Sequence, residues 1–385
     1  MRRPVSIGPI AFDASLWDEP TTGIGLYTRC LASALEGQGV SLERFGARVS
    51  GEHPRGQMGR TGYTLARLPR DLRGSQARLF HALGNFNLPL TRVPGKAYVV
   101  TVHDLIPLTM RETVSTAFRW QFRLWLTRSL MLADRVICVS AHTRDELLAR
   151  FPEVAGRTQV VHNGVDHVDA ERLDATGEAF VRALALPKDY VLYAGSLDVR
   201  KNVGLVLDAL ERLRAQGRKA SLVLAGQSWF GSGSVEMRVG RMRAEGFDIR
   251  PLGYQSAPVF YELMRRAALF VFPSRGEGFG LPPLEAMRLG TATIVSNAGS
   301  LPEVCADAAP AVGPDDAEGL AETIDRLLRS PEERRNWSEK GRRRAADFTW
   351  MRAAEQTLAV YRMMLSAPAE VKIVRDSVKG DWNRR

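Results

Sequence analysis

Glu277 and Glu285 lie eight positions apart in "SRGEGFGLPPLE", residues 274–285, around three glycines and a proline pair. The stretch follows an apolar run, "ALFVFPS", that reads as a strand. Glycines let backbone amides approach a ligand closely. Proline suits the first turn of a helix, where its missing N–H would be unpaired anyway. A helix N-terminus favours phosphate. On this reading Glu285 falls in the first turn, where its carboxylate accepts two hydroxyl hydrogens, as a ribose offers. Glu277, in the loop, takes a second polyol group. A nucleotide sugar, with phosphate between two hydroxyl-rich ends, satisfies both. The competing reading is that Glu285 caps its own helix and Glu277 is solvated.

Other strand ends carry candidates. "YVLYAGSLDVRKN" places Arg200 and Lys201 in the loop after a strand, where two adjacent cations neutralise a diphosphate. The alternative is an exposed pair opening the next helix. "IRPLGY" leaves Gly253 and Tyr254 where backbone groups could hold a base, and a plain turn fits equally. "AYVVTVHDLIPL" ends a strand at His103 and Asp104. "DEPTTGIGLYTRCLASAL" is a loop running into a helix through Gly23 and Gly25. Thr28 stands where the dinucleotide fingerprint has its third glycine, and no Walker lysine follows. D-x-D and H-E-x-x-H are absent, and a metal bridging a diphosphate would want such acids. The expected site is therefore metal-independent and free of cofactors, with Lys201, Arg200 and a helix dipole in the metal's place.

Placing these residues after strands requires an α/β architecture. Apolar, β-branched runs alternate with helical patterns. They are "SIGPIAFD", "RLFHALG", "AYVVTVHDL", "RVICVS" and "TQVVHNG" in the first half. In the second half they are "YVLYAGS", "ASLVLAG", "IRPLGY", "ALFVFPS", "ATIVSN" and "AAPAVG". Most are continuous rather than alternating, as in parallel strands buried on both faces. The alternation implies βαβ units in two doubly wound domains, with ligands beyond the carboxyl ends of the strands. The polar stretch 166–190 reads as the boundary, and "TWMRAAEQTLAVYRMML" as a last helix with no strand after it.

Composition narrows the class. The 385 residues are 45% hydrophobic and 25% charged, ordinary for a globular protein of two or three domains. No segment reaches the roughly 18 apolar residues of a membrane span, and the N-terminus reads as a first strand rather than a signal peptide. Three scattered cysteines, Cys30, Cys138 and Cys305, fit buried thiols in a reducing cytoplasm better than disulfides or zinc. The net charge of +10 fits nucleic acid, anionic lipid or a phosphorylated substrate. No nucleic-acid motif accompanies the spread-out basic residues. A nucleic-acid-binding reading explains the charge but not the two glutamates and their glycines.

Residues 273–304, "PSRGEGFGLPPLEAMRLGTATIVSNAGSLPEV", resemble the retaining glycosyltransferases of GT-B fold, family 4, with Glu277 and Glu285 as the E-x7-E element. "AGSLDVRKNVGLVLDAL", "RVICVSAHTRDEL" and "VVHNGVD" match family blocks in the expected order, and the likeness runs over about 6–365. It implies two Rossmann-like domains facing a cleft. Residues 1–175 would bind the acceptor and 186–350 the nucleotide sugar, while 351–385 would supply a helix packing back towards the first domain, plus a tail.

The resemblance also implies roles. Glu285 would hold the ribose, and Glu277 would contact the donor sugar near its anomeric carbon. Amides of Gly278, Phe279 and Gly280, with Leu281 beside them, would bind sugar hydroxyls and phosphate. Lys201 with Arg200 would stabilise the departing diphosphate. Gly23 and Gly25 would let the N-terminal loop approach the donor, and His103 would touch the donor sugar. One departure stands out: many relatives carry Gly-Arg where this chain has Gly195-Ser196, and Arg200 is the candidate substitute. The wording of the blocks is most similar to bacterial mannosyl- and deoxyhexosyl-transferases of polysaccharide and lipopolysaccharide assembly. GDP-mannose is thus the first candidate donor, ahead of GDP-rhamnose or a UDP-sugar, and a lipid-linked saccharide the candidate acceptor. A nucleotide-sugar epimerase of the same architecture is the alternative enzyme. "TAFRWQFRLWLTRSLML" carries Trp120, Trp125, Arg119, Arg123 and Arg128 in a helical pattern. That suits either a core-packed helix or peripheral contact with the cytoplasmic face of an inner membrane.

Overall fold

The computed structural model describes residues 8–18, 23–46, 62–85, 87–226 and 233–366. Residues 19–22 of the N-terminal Gly-containing loop and the tail beyond 366 lie outside them. Among the described residues, the strands form two six-stranded sheets, parallel throughout.

The first sheet contains β1 (Ile10–Asp13), β2 (Leu42–Phe45), β3 (Leu79–Ala82), β4 (Ala97–Val102), β5 (Arg135–Cys138) and β6 (Thr158–Val160) in the order β2-β1-β3-β4-β5-β6. The second contains β7 (Val191–Ala194), β8 (Leu222–Ala225), β9 (Ile249–Gly253), β10 (Leu269–Phe272), β11 (Thr293–Ser296) and β12 (Ala311–Val312) in the order β12-β11-β10-β7-β8-β9. Strand order reverses between β1 and β3 in one sheet and between β7 and β10 in the other. Such switch points open the crevice in which doubly wound sheets bind ligands.

The continuous apolar runs are explained by burial on both faces. In β10, Phe270 and Phe272 pack into one core while Leu269 and Val271 pack into another on the opposite face. In β4, Val99 faces one core and Tyr98, Val100 and Val102 the other. β2 is the strand that apolar runs do not reveal. Its sequence, "LERF", is partly exposed because it forms the sheet edge. Within the stretch 166–190, which reads as a boundary, the helix Ala175–Ala183 forms and packs against the helix Ala257–Arg266.

The last helix, Trp350–Ser366, belongs to the core of the first sheet. Trp350, Ala354, Leu358 and Tyr361 pack with Leu31, Leu35 and Leu79. A buried polar chain anchors it. His81 Nδ1 lies 2.6 Å from the Tyr361 hydroxyl, His81 Nε2 lies 2.8 Å from Thr101 Oγ1, and Tyr27 Oη lies 3.2 Å from the same Thr101 oxygen. Burial pulls His81 down to about 3, so the ring is neutral in the folded chain. Tyr361→Phe leaves His81 one partner short, and an expected loss of about 1–3 kcal/mol follows, measurable by urea unfolding.

An unfolded histidine takes up a proton below about 6.5, and folded His81 does so only near 3. Between these values the unfolded state binds more protons, so stability falls as pH falls. The expected result is an unfolding midpoint that drops from pH 6.5 towards 4, with a shallower slope in His81→Asn.

Candidate active site

The loops after β7 and β10 are joined at the switch point of the second sheet, where Arg275 N–H donates to the Arg200 carbonyl at 2.7 Å. The loop after β11 joins them through Ser300 N–H, which donates to the Glu277 carbonyl at 3.2 Å. Glu277 sits at the centre. Its Oε1 accepts from Arg200 Nη1 at 2.7 Å, Lys201 Nζ at 2.8 Å and Ser274 Oγ at 2.6 Å. Burial alone would raise this carboxyl, but the Lys201 ammonium and Arg200 guanidinium outweigh that and hold it below the usual range. Lys201 also lies 4.6 Å above the Phe272 ring. The two cations are therefore neither an exposed pair nor a free anion cradle, and Glu277 is not a solvated loop residue. Asp198 fixes the loop by accepting from Ser196 Oγ at 2.6 Å and Lys201 N–H at 2.9 Å. Ser196 thus serves the loop, while Arg200 reaches Glu277.

The opposite wall comes from the first sheet. His103 and Asp104 follow β4. Burial pulls His103 down to about 4. Its Nε2 donates to the Leu83 carbonyl at 2.7 Å; a carbonyl only accepts, so Nδ1 keeps its lone pair for a hydroxyl. The ring stands edge-on to Tyr27 at 4.8 Å. Burial raises the Asp104 carboxyl, whose Oδ1 accepts from Ile106 N–H at 3.1 Å.

Gly278 is where the two walls meet. A Cβ there would stand 1.8 Å from the His103 carbonyl oxygen. Its own carbonyl accepts from Ser140 Oγ at 2.6 Å and Thr143 Oγ1 at 3.1 Å, at the start of the helix Ala141–Arg150. Beside it, Glu303 accepts from the amides of Ala141 and His142 at 2.8 and 3.0 Å and pairs with His162 Nε2 at 2.7 Å. Gly280 turns the chain into the next helix at φ +94°, a conformation other residues rarely adopt, with Leu301 filling the space of a Cβ. Phe279 is buried beside it.

The helix Leu281–Leu289 opens at Leu281 with Pro282 and Pro283 following. Glu285 therefore lies in its second turn, not the first, and is buried without capping the helix. Its Oε1 accepts from His167 Nε2 at 3.0 Å and from the Tyr261 hydroxyl at 3.4 Å.

Not every sequence candidate converges. Gly253 and Tyr254 close β9, the edge strand, two strands from the switch point, and Tyr254 is half-exposed. Gly23 and Gly25 open the helix Gly23–Gly37 after β1. Motif spacing missed Ser274, His167, Tyr261, Trp350, Ser140, Thr143 and Glu303. Four of these had a signal: Ser274 and Glu303 stand inside the block that carries Glu277, and Ser140 and Thr143 inside "RVICVSAHTRDEL" after a strand.

The chain has known counterparts in sequence and fold. Residues 177–344 match the family model described as glycosyl transferases group 1, and residues 21–168 match glycosyltransferase family 4. The chain is 30% identical over 298 residues to O-antigen chain mannosyltransferase B of Escherichia coli, covering 76% of each chain. It is 29% identical over 288 residues to alpha-maltose-1-phosphate synthase of Mycolicibacterium smegmatis, covering 70% of this chain and 73% of that one. Sucrose-phosphate synthase from Thermosynechococcus elongatus superposes with a TM-score of 0.70 at 23% identity, over 94% of this chain and 100% of the other. The chain belongs to glycosyltransferase family 4, and its two facing parallel-sheet domains are a GT-B fold.

The Gly278 contact is directly testable. Gly278→Ala must push the two walls apart, and a misplacement of about 1 Å costs on the order of 10²-fold in rate. The expected outcome is that loss in sugar transfer, with a circular dichroism spectrum like that of the unchanged protein.

Proposed function

We propose that this glycosyltransferase is a retaining, metal-independent mannosyltransferase. It takes mannose from GDP-mannose and delivers it to a saccharide acceptor, lipid-linked, in polysaccharide or O-antigen assembly. The observation that carries the reading is the triple pairing of Glu277 with Arg200, Lys201 and Ser274 at a switch point, with the adjacent Gly278 against the His103 carbonyl. The mannosyltransferase name of the Escherichia coli relative supports the choice of sugar.

In the reaction, the bond from the anomeric carbon to the diphosphate oxygen breaks, and its electron pair leaves with the diphosphate. The acceptor hydroxyl oxygen bonds to that carbon from the same face, and its proton passes to the departing phosphate oxygen. Configuration is thereby kept. Arg200 and Lys201 turn part of their charge from Glu277 to the leaving group, and preorganised cations in a dry site stabilise such charge strongly. Glu277 and the neutral His103, with Nδ1 as acceptor, orient sugar hydroxyls. Closure at Gly278 limits hydrolysis by excluding water.

The acceptor is assigned to a cavity of about 300 Å³ on the first domain, lined by Leu16, Leu65, Phe118, Phe122 and Trp125 together with the polar Asn85 and Asp104. A lining that mixes apolar and polar groups suits a saccharide joined to a lipid. The helix Thr116–Leu132 exposes Trp120, Leu124 and Met131, with Arg123 over the Trp120 ring at 5.8 Å. Trp125 instead lines the cavity, and Arg128 donates to the Leu88 and Pro89 carbonyls. The exposed stripe gives the protein a peripheral foothold on an anionic membrane. Among the described residues no helix is long and apolar enough to cross one.

Thermal shift with GDP, UDP, ADP, TDP and CMP, with and without magnesium, tests the donor. The expected result is a rise with GDP alone, since a ligand of the folded state stabilises by mass action. That rise is unchanged by magnesium and lost in Glu285→Ala. Lys201→Ala is expected to lower kcat by about 10²–10³-fold, as removal of a transition-state donor does, in a GDP-mannose transfer assay. A shift with a different nucleotide overturns the donor, and a magnesium requirement overturns the metal-free mechanism.

A further inference from the structure

We infer that His167 and Trp350 are positioning residues that orient Glu285 for the two hydroxyls of the donor's ribose. This rests on the reading that Glu285 holds that ribose. The Trp350 indole Nε1–H donates to His167 Nδ1 at 3.1 Å. An indole N–H can only donate, so Nδ1 is the acceptor and the ring proton sits on Nε2. From there it is donated to Glu285 Oε1 at 3.0 Å. Tyr261 donates to the same oxygen at 3.4 Å. Both donors hold one carboxylate oxygen, and among the described residues none meets Oε2. The side chain cannot swing without breaking these bonds, and Oε2 keeps its lone pairs for two hydroxyl donors, as a cis-diol presents.

The supports of His167 are themselves fixed. Arg288 Nε donates to the Val168 carbonyl at 2.8 Å, stapling the segment to Glu285's own helix. Trp350 N–H donates to Asp166 Oδ1 at 2.7 Å, and a Cβ on Gly164 would fall 2.2 Å from the Trp350 nitrogen. The Trp350 ring also lies 5.8 Å from Tyr27, which stands against His103. The ribose carboxylate is thus set by side chains from the crossover segment and from a helix packed on the other domain. It is correctly aimed only when the two domains sit as they do here.

The test compares affinities for GDP, UDP and ADP with those for their 2′-deoxy counterparts by calorimetry. The proteins are the unchanged chain, Glu285→Gln, His167→Phe, His167→Gln and Trp350→Phe, with melting recorded for each without ligand. The unchanged chain is expected to prefer one ribonucleotide over its deoxy form by at least about tenfold, the worth of a hydrogen bond to a charged group. Glu285→Gln is expected to lose that preference. His167→Phe and Trp350→Phe should lose most of it while binding the deoxy form as the unchanged chain does, and His167→Gln, which keeps an N–H, should regain it. Donor KM should rise in His167→Phe with kcat nearly unchanged. A role confined to folding would lower melting and weaken both nucleotides alike, and that result overturns the inference. Full ribose preference in both His167→Phe and Trp350→Phe, with Glu285→Gln impaired, overturns it while the ribose site stands. Preference that survives in Glu285→Gln, or no nucleotide binding at all, removes the ribose reading itself.

Discussion

A carboxylate taken out of water must be paired, or its desolvation exceeds anything its neighbours return. Glu277 meets this constraint with three donors on a single oxygen, two of them cationic. The arrangement requires loops from two strands, β7 and β10, to run side by side. That in turn requires those strands to be adjacent although they are far apart in sequence, which is what the order β12-β11-β10-β7-β8-β9 provides. A site built on charge and a sheet built on apolar burial therefore fix each other's geometry.

The same cluster keeps two buried cations paired. Arg200 and Lys201 both donate to Glu277 Oε1. Under the proposed function, a diphosphate arriving beside them would meet cations already desolvated and oriented, so little reorganisation would remain for the reaction itself. Glu277 is the counter-ion that holds this arrangement, and in the proposed reaction it would also face the sugar.

Contact between the domains pairs backbone groups with side chains. Gly278 lets the donor loop touch the His103 carbonyl, and Ser140, Thr143 and the amides at the start of the helix Ala141–Arg150 hold the loop and Glu303 from the other side. The helix Trp350–Ser366 closes the circuit, since its first residue reaches the crossover segment while its body lies in the core of the first sheet. These directional hydrogen bonds join the domains beside a shared apolar core, in which Val139, Val165 and Val168 cluster with Phe272, Phe279 and Phe348.

Local sequence determined most of the strands, because burial on both faces writes itself as an unbroken apolar run. It also marked Glu277, Glu285, Lys201 and Arg200, since strand ends and glycine spacing are local features. The edge strand β2 escaped because one exposed side removes the apolar run. The depth of Glu285 in its helix was misjudged because the helix begins at Leu281, after the φ of Gly280, which spacing alone does not reveal. Which charges pair was decided only by the tertiary structure. Arg200 and Lys201 read as a phosphate clamp in the sequence, and only the adjacency of β7 and β10 brings Glu277 between them. His167, in a stretch that reads as a polar linker, and Trp350, in a plain amphipathic helix, gained their place at Glu285 from a chain path that crosses between domains twice. Hydrogen bonds between residues more than 100 positions apart leave no period in a sequence, and so only the fold can show them.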